Sequence, residues 1–245
     1  MQKLGYIALL IVLFGCTKEN DANQYVVSGF YRGDNDSVFV ELGELQSDGV
    51  FIPSQNDLVR ISADGNLFSL ANKGNGLYHL DQEIPEEALE LTLLVNDNIR
   101  SVSYVPPPIS ATSSGDTELI VNPNSLGEEL YGLTWNDVEG YSYVLQLECL
   151  EDVKVEIPFT VPHGLFDTQF NGPIEESSID LYDLDFTYYG QHKLTVYVID
   201  SKYSELFFYR SRSKRNVITA GPDNVMGANG FWACTRAFEV LLNVQ

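Results

Sequence analysis

The chain has three histidines, His79, His163 and His192. None has a second His, a Cys or a carboxylate at the short spacing from which zinc sites are built. No Gly-x-Ser-x-Gly elbow, His-Glu-x-x-His pair, phosphate loop or dinucleotide fingerprint occurs. His79 falls on an expected strand and reads as structural, while His163 and His192 flank an irregular stretch. Two acidic groups come closer to usable chemistry. Asp34-Asn35-Asp36-Ser37 alternates oxygens in a hairpin loop, and Asp180, Asp183 and Asp185 recur within one short segment. Either could wrap a hard cation, but neither carries the central glycine and terminal glutamate of an EF-hand loop. A solvated turn and a soluble loop are the plainer readings, and neither a metal nor a cofactor is expected. Aromatic residues make up 12% of the chain, and flat amphipathic rings are platforms for sugars. Tyr188-Tyr189, Phe207-Phe208-Tyr209 and Phe231-Trp232 are the candidates. Against them, sandwich cores also use aromatics, and adjacent strand residues point to opposite faces. With no recognisable catalytic constellation, an enzyme is not expected.

The cysteines say more. Cys16 closes an apolar N-terminal run, with Lys3 before the run and Thr17-Lys18-Glu19-Asn20-Asp21 after it. Leu4 to Phe14 is too short to cross a bilayer, which takes ~20 apolar residues, and it reads as a cleaved signal. Leu13-Phe14-Gly15 ahead of Cys16 resembles a bacterial lipobox, with Gly15 as the small residue at the cut and Phe14 bulkier than usual there. Lipidation of Cys16 is the expectation. Stable anchoring takes two or more acyl chains at ~0.8 kcal/mol per buried CH₂, and a bacterial lipoprotein cysteine carries three chains. Cys149 and Cys234 then remain as a candidate disulfide in an oxidising compartment, with two unpaired buried thiols as the alternative.

The 245 residues suffice for one large domain or two ordinary ones, and 44% apolar content can build a core. The formal charge of −21 repels phosphate backbones and anionic headgroups, so no nucleic-acid partner is expected.

These residues must be positioned by short strands. After a signal at 1–15 and a lipidated tether at 16–23, β-like runs recur from Tyr25 to Val105, punctuated by Asp64-Gly65, Asn75-Gly76 and Asn96-Asp97-Asn98. Such pairs fit hairpin turns because they tolerate positive φ. Residues 24–105 are thus expected to form a β-sandwich of transthyretin or immunoglobulin-like size. Pro106-Pro107-Pro108 and the Ser-rich stretch after it predict a linker over 106–115. Residues 116–245 predict a second sandwich. Trp135, a polar turn and Tyr141 look like the B–C hairpin of a fibronectin type III-like domain. Residues 163–191 read as an irregular excursion, Tyr203 to Ser213 as one short helix with Ser201 as N-cap, and Phe231 to Val244 as a long closing strand. The fold class expected is therefore all-β, two tandem β-sandwich domains with one short helix. Asn224, Val225, Gly227, Asn229, Gly230 and Phe231 suit a tight loop before the last strand. That loop either packs on the sandwich or serves as a docking loop.

Five motifs in order carry a wider resemblance. They are Cys16 with its followers, Tyr25-Val26-Val27-Ser28-Gly29, Gly76-Leu77-Tyr78, Phe166-Asp167-Thr168-Gln169-Phe170-Asn171-Gly172, and Gly221-Pro222-Asp223-Asn224-Val225 leading to Asn229-Gly230-Phe231-Trp232. Together they resemble a Bacteroidota lipoprotein family known only as a domain of unknown function, often encoded beside TonB-dependent outer-membrane transporters. The resemblance implies an outer-membrane lipoprotein, held to the membrane by lipid on Cys16, exposed at the cell surface and acting as a non-catalytic accessory of such a transporter. It supplies no catalytic residues. A free-standing glycan-binding lipoprotein and a structural or adhesive surface module are the alternatives.

Overall fold

A computed structural model describes residues 24–32, 37–46, 50–85, 87–124, 127–159, 166–212 and 224–245. Cys16, Asp34, Asn35, Asp36 and His163, and the expectations attached to them, lie outside these residues. Nine strands come first: β1 (Gln24–Arg32), β2 (Ser37–Leu45), β3 (Phe51–Pro53), β4 (Val59–Ala63), β5 (Asn66–Ser69), β6 (Ala71–Gly74), β7 (Leu77–His79), β8 (Glu90–Val95) and β9 (Ile99–Tyr104). Next come β10 (Ala111–Ser113), β11 (Glu118–Leu119), β12 (Glu129–Trp135), β13 (Tyr141–Cys149), β14 (Val155–Glu156), β15 (Thr168–Ile174), β16 (Ser178–Tyr182) and β17 (Tyr188–Asp200). Helix α1 (Ser204–Arg212), β18 (Val225–Met226) and β19 (Asn229–Val244) complete the described chain.

The architecture is all-β, with sheets packed face to face as sandwiches. One large sheet runs β15-β13-β17-β19-β1-β2-β7-β6. A five-stranded sheet, β18-β9-β8-β4-β5, covers one half of it, and a three-stranded sheet, β10-β12-β16, covers the other. Two cores result. The first gathers Val40, Leu42, Ile61, Leu91, Leu93 and Trp232, and the second gathers Leu133, Trp135, Tyr143, Leu145, Leu194 and Val196. Turn chemistry is as the sequence reads. Asp64 and Gly65 take φ of 48° and 82° between β4 and β5, and Asn96 and Asp97 take 50° and 61° between β8 and β9.

The strand β19 joins the halves. Its first part, Asn229 to Thr235, pairs in parallel with β1, from Val26 to Arg32. Its second part, Thr235 to Val244, pairs antiparallel with β17. Just before it, β18 pairs with β9. Residues 225–235 thus belong to the sheets of the first sandwich, although they follow the second in sequence, so the expected assignment of all of 116–245 to one sandwich does not describe them. The reason is in the side chains. Val225 and Trp232 are apolar and buried in the first core, and Trp232 Nε1 donates to the Leu91 carbonyl at 3.2 Å. Gly29 sits opposite Trp232, and a Cβ there would lie 2.9 Å from the indole, so the strand pair leaves that space to the ring.

Other expectations shift in detail. Ala111 to Ser113, expected within the linker, form β10 and pair with β12. The stretch 163–191 is not irregular where it is described: it holds β15, β16, a short 3₁₀ turn at Asp183–Asp185 and the start of β17. β12 and β13 lie in different sheets, so the Trp135-to-Tyr141 connection arches across the sandwich and is not a hairpin within one sheet. The two rings still meet, 5.1 Å apart and near edge-on. Helix α1 starts at Ser204, and Ser201 does not cap it. The Ser142 hydroxyl donates to that of Ser201 at 2.7 Å, while the Asp200 carboxylate accepts the Lys202 N–H at 2.9 Å.

α1 packs on β15 and β13, over the point where the two sandwiches meet. Phe30, Tyr197, Tyr203, Phe207 and Phe231 form a third buried cluster there. Phe30 lies 5.1 Å from Phe207 and 5.0 Å from Phe231, and Tyr197 lies 5.0 Å from Phe207. Each such pair is worth ~0.5–1.5 kcal/mol beyond its area, so this cluster locks the two halves into one body. The Arg32 guanidinium carbon stands 4.9 Å from the Tyr197 ring centroid, and the Tyr197 hydroxyl donates to Gln146 at 3.0 Å, carrying polar contacts across the same junction.

Candidate functional site

The site is a consequence of how one edge strand is written. In β15, Gln169 sits opposite Leu147 and Asn171 opposite Leu145. Directly opposed residues of an antiparallel pair share a face, and Leu145 and Leu147 face the second core. Two inward positions of β15, Gln169 and Asn171, are therefore amides where a closed sandwich edge would carry apolar side chains, while Ile174, opposite Tyr143, packs on the second core. The edge stays open, and a cleft of ≈ 360 Å³ lies between β15 and β16. That volume is at the small end of ligand pockets, about 300–1,000 Å³. Leu145, Leu147 and Leu194 form its floor, with Ile179 and Leu181 on the facing wall.

The acidic triplet divides around this cleft. Asp185 lines it, and one carboxylate oxygen accepts the Tyr182 N–H at 2.8 Å. Burial raises the Asp185 carboxyl above the usual range, the neighbouring Asp183 adds to this, and the Tyr182 bond opposes it. Gln169 spans the opening, its Nε2 donating to the Asp185 carbonyl at 2.8 Å. Asp183 is buried and turned to the backbone, accepting from Gly127 at 3.0 and 3.2 Å and from Leu184 at 2.7 Å. Asp180 lies along the β16 wall, but its carboxylate is on the outer sheet face, 3.2 Å from where a Cβ on Gly132 would stand. The three aspartates do not converge. Among the described residues, no three His, Cys, Asp or Glu side chains form a group that could hold a metal ion.

The remaining sequence-derived candidates are mostly structural. Cys149 and Cys234 are both free and buried. Cys149 pairs with His192, and His192 with Leu242, eight positions along β19 from Cys234. At ~3.3 Å per residue that is ~26 Å, far beyond the ~7 Å limit for a disulfide, so of the two alternatives the unpaired buried thiols hold and the candidate crosslink does not form. Burial pushes the Cys234 thiol up to about 12.

The candidate docking loop at 224–231 is in part packed on the first sandwich. Asn224 stands in for a strand partner: its Oδ1 accepts the Trp232 N–H at 2.8 Å and its Nδ2 donates to the Trp232 carbonyl at 2.7 Å. Val225 and Phe231 are buried. Gly230 holds φ at 123°, and a Cβ there would collide with the Val27 carbonyl. Gly227 has φ of 87°, and Asn229 and Met226 are exposed at the rim. Short-range turn chemistry and a long-range strand pairing share the same residues, and only the pairing explains why they are so placed.

Of the aromatic pairs, Phe207, Phe231 and Trp232 are buried and offer no platform. Tyr188 is half-buried, with the Lys154 ammonium 6.0 Å from its ring centroid, and Tyr189 packs against the second core. His79 is near Asp81 on the surface of the first sandwich. His192 is buried against Phe186, edge-on at 5.3 Å, its Nδ1 3.1 Å from the Gly190 carbonyl. Burial lowers its pKa, partly offset by the Gly190 bond and by Glu151. Gln169 and Asn171 were missed as site residues by sequence reasoning. The signal was the polar period of two in Gln169 and Asn171, which Gly172-Pro173 cuts short.

No helix among the described residues is long and apolar enough to cross a membrane. A scan against protein-family models finds no match, and no curated protein matches the chain. Solved structures give remote likenesses. The FN1–FN3 domains of chicken CNTN1 align at 13% identity, covering 90% of this chain and 68% of that one, with a TM-score of 0.27. Alpha-2-macroglobulin of E. coli in its native conformation aligns at 12% identity, covering 91% of this chain but 14% of that one, with a TM-score of 0.24. With TM-scores this low, neither likeness carries an argument.

Proposed function

We propose that the protein is a non-catalytic binding module, lipid-anchored at Cys16 to the bacterial outer membrane and facing outward, that serves as an accessory of a TonB-dependent uptake system. A β-sandwich body fits a binding or adhesive role. The observation that carries the reading is the distance between the two ends of β19. Gln24, which follows the tether in sequence, opens β1 beside the start of β19. The cleft lies level with Phe238 to Val240, through the pairing of Leu145 with Val196 and Leu147 with Leu194. About twelve residues at ~3.3 Å each put the cleft ~40 Å from that pole. A membrane tether at 16–23 and a cleft at the other half of a rigid body is the arrangement of a protein that presents a ligand site away from the bilayer.

Affinity purification of the tagged protein from gently solubilised outer membranes tests the partner. A co-purifying β-barrel transporter is expected. Recovery of the protein without one, from cells expressing the neighbouring genes, would retire the docking role. Replacement of Cys16 by Ser is expected to move the protein from the membrane fraction to the soluble fraction.

A further inference from the structure

We propose that the cleft between β15 and β16 binds a neutral saccharide, of one or two sugar rings, through Gln169, Asn171 and Asp185. The inference rests on the reading of the protein as a binding module and names the ligand class of its cleft. Three features select that class.

The first is charge. Among the described residues no Lys or Arg lines the cleft, Asp185 does, and the whole chain carries −21, so phosphates and carboxylates are repelled. The second is the balance of donors and acceptors. With one Nε2–H given to the Asp185 carbonyl, Gln169 offers its Oε1 as an acceptor and its second N–H as a donor, and Asp185 offers the carboxylate oxygen not taken by Tyr182. The exposed Asn171 brings both a donor pair and an acceptor. An ammonium ion has donors only and would leave the Asn171 N–H groups unanswered. Sugar hydroxyls donate and accept at once and can answer all three side chains. The third is the floor. Leu145, Leu147 and Leu194 present aliphatic carbon, to which the C–H face of a sugar ring can pack while its hydroxyl rim meets the amides.

The arrangement also accounts for an otherwise costly choice of residues. Two amides at inward positions of a sandwich edge forgo the apolar contact that Leu or Val would make there. Their value is in what they leave open.

The test is titration of the purified chain with cellobiose, maltose and N,N′-diacetylchitobiose, followed by amide proton–nitrogen correlation spectra, with spermidine and inorganic phosphate as controls. At least one disaccharide is expected to shift the amides of Gln169, Asn171 and Leu181 saturably. Asn171→Ala and Gln169→Ala are each expected to weaken that binding ~10-fold, the scale of one lost hydrogen bond. Asn171 is exposed and its replacement leaves both cores intact, so resonances of the first sandwich should stay in place and report folding. Three results would each overturn the proposal: no shift with any of the sugars, shifts with spermidine or phosphate alone, or unchanged sugar affinity in both variants. Transporter capture is measured separately, so a failed titration with successful capture removes the ligand class and leaves the docking role.

Discussion

If β19 makes the two sandwiches one body, damage to the first core must be felt in the second. The chain has two tryptophans, and they report on different halves. Trp232 is in the first core and Trp135 in the second. Trp232→Phe leaves Trp135 as the sole indole, and Trp135→Phe leaves Trp232. The perturbation is Ile61→Ala, made in each background. Ile61 is on β4, fully buried, and touches only the first core cluster. Truncation removes roughly three carbons at ~0.8 kcal/mol each, and the cavity left behind brings the cost to ~3 kcal/mol.

The assay is urea unfolding followed by fluorescence. With an m-value of ~3 kcal/mol/M, a loss of ~3 kcal/mol moves the midpoint by ~1 M. The shared strand and the aromatic junction require the same shift at both reporters, including Trp135, which has no contact with the mutated site. A Trp135 midpoint that stays put while the Trp232 midpoint falls would refute the coupling. The halves would then be independent domains that happen to share a strand.

Further outcomes follow from individual residues. Both thiols should be inert to Ellman's reagent in the folded protein and fully reactive in denaturant, because both are buried and the Cys234 thiol is pushed up to about 12; absence of free thiol in denaturant would restore the disulfide. Asn224→Ala should cost ~2 kcal/mol through its two lost bonds to Trp232, whereas Met226→Ala, at an exposed position, should cost almost nothing in the same melt. Because burial lowers the His192 pKa, the unfolded chain binds a proton that the folded chain does not as pH drops below ~6.5. Stability should therefore fall as the pH drops below about 6.5, and His192→Phe should flatten that part of the curve. Gly230→Ala should cost more than ~3 kcal/mol, since its φ of 123° and the Val27 carbonyl both exclude a side chain, and a melt like wild type would contradict the parallel β1–β19 pairing.

What could be read in the sequence was the local part of the problem. Asp64-Gly65 and Asn96-Asp97 specify their own turns, so the hairpins between β4 and β5 and between β8 and β9 could be found without the rest of the chain. The alternation in Tyr141 to Cys149 likewise marks one buried face. The non-local part was hidden. That Val225 to Thr235 return to strands 100 and more positions earlier is not encoded in any period, since Trp232 looks the same whether it completes its own sandwich or its neighbour's. β15 was hidden for a different reason. An edge strand with polar residues inward and Phe170 toward the helix inverts the usual pattern, and the Gly172-Pro173 break made it look like loop. The cleft and the misread strand have one cause, the amides at 169 and 171.

The same strand geometry would link the proposed anchor to the cleft. A hinge between two sandwiches would let the second lie down on the membrane, and a tether attached to the first would then fix nothing about where the cleft points. Among the described residues a continuous run of backbone pairing from β1 through β19 to β17, with Phe207 and Tyr203 pressed over the junction, leaves no such hinge. Bending would break ladder hydrogen bonds and open an aromatic core together, several kcal/mol at once by the worth of each pair. On the proposed anchoring at Cys16, the lipid would set position and β19 would set reach. The open edge of β15, on the half of the body remote from Gln24, is where the apolar-floored cleft would then meet a ligand away from the proposed bilayer.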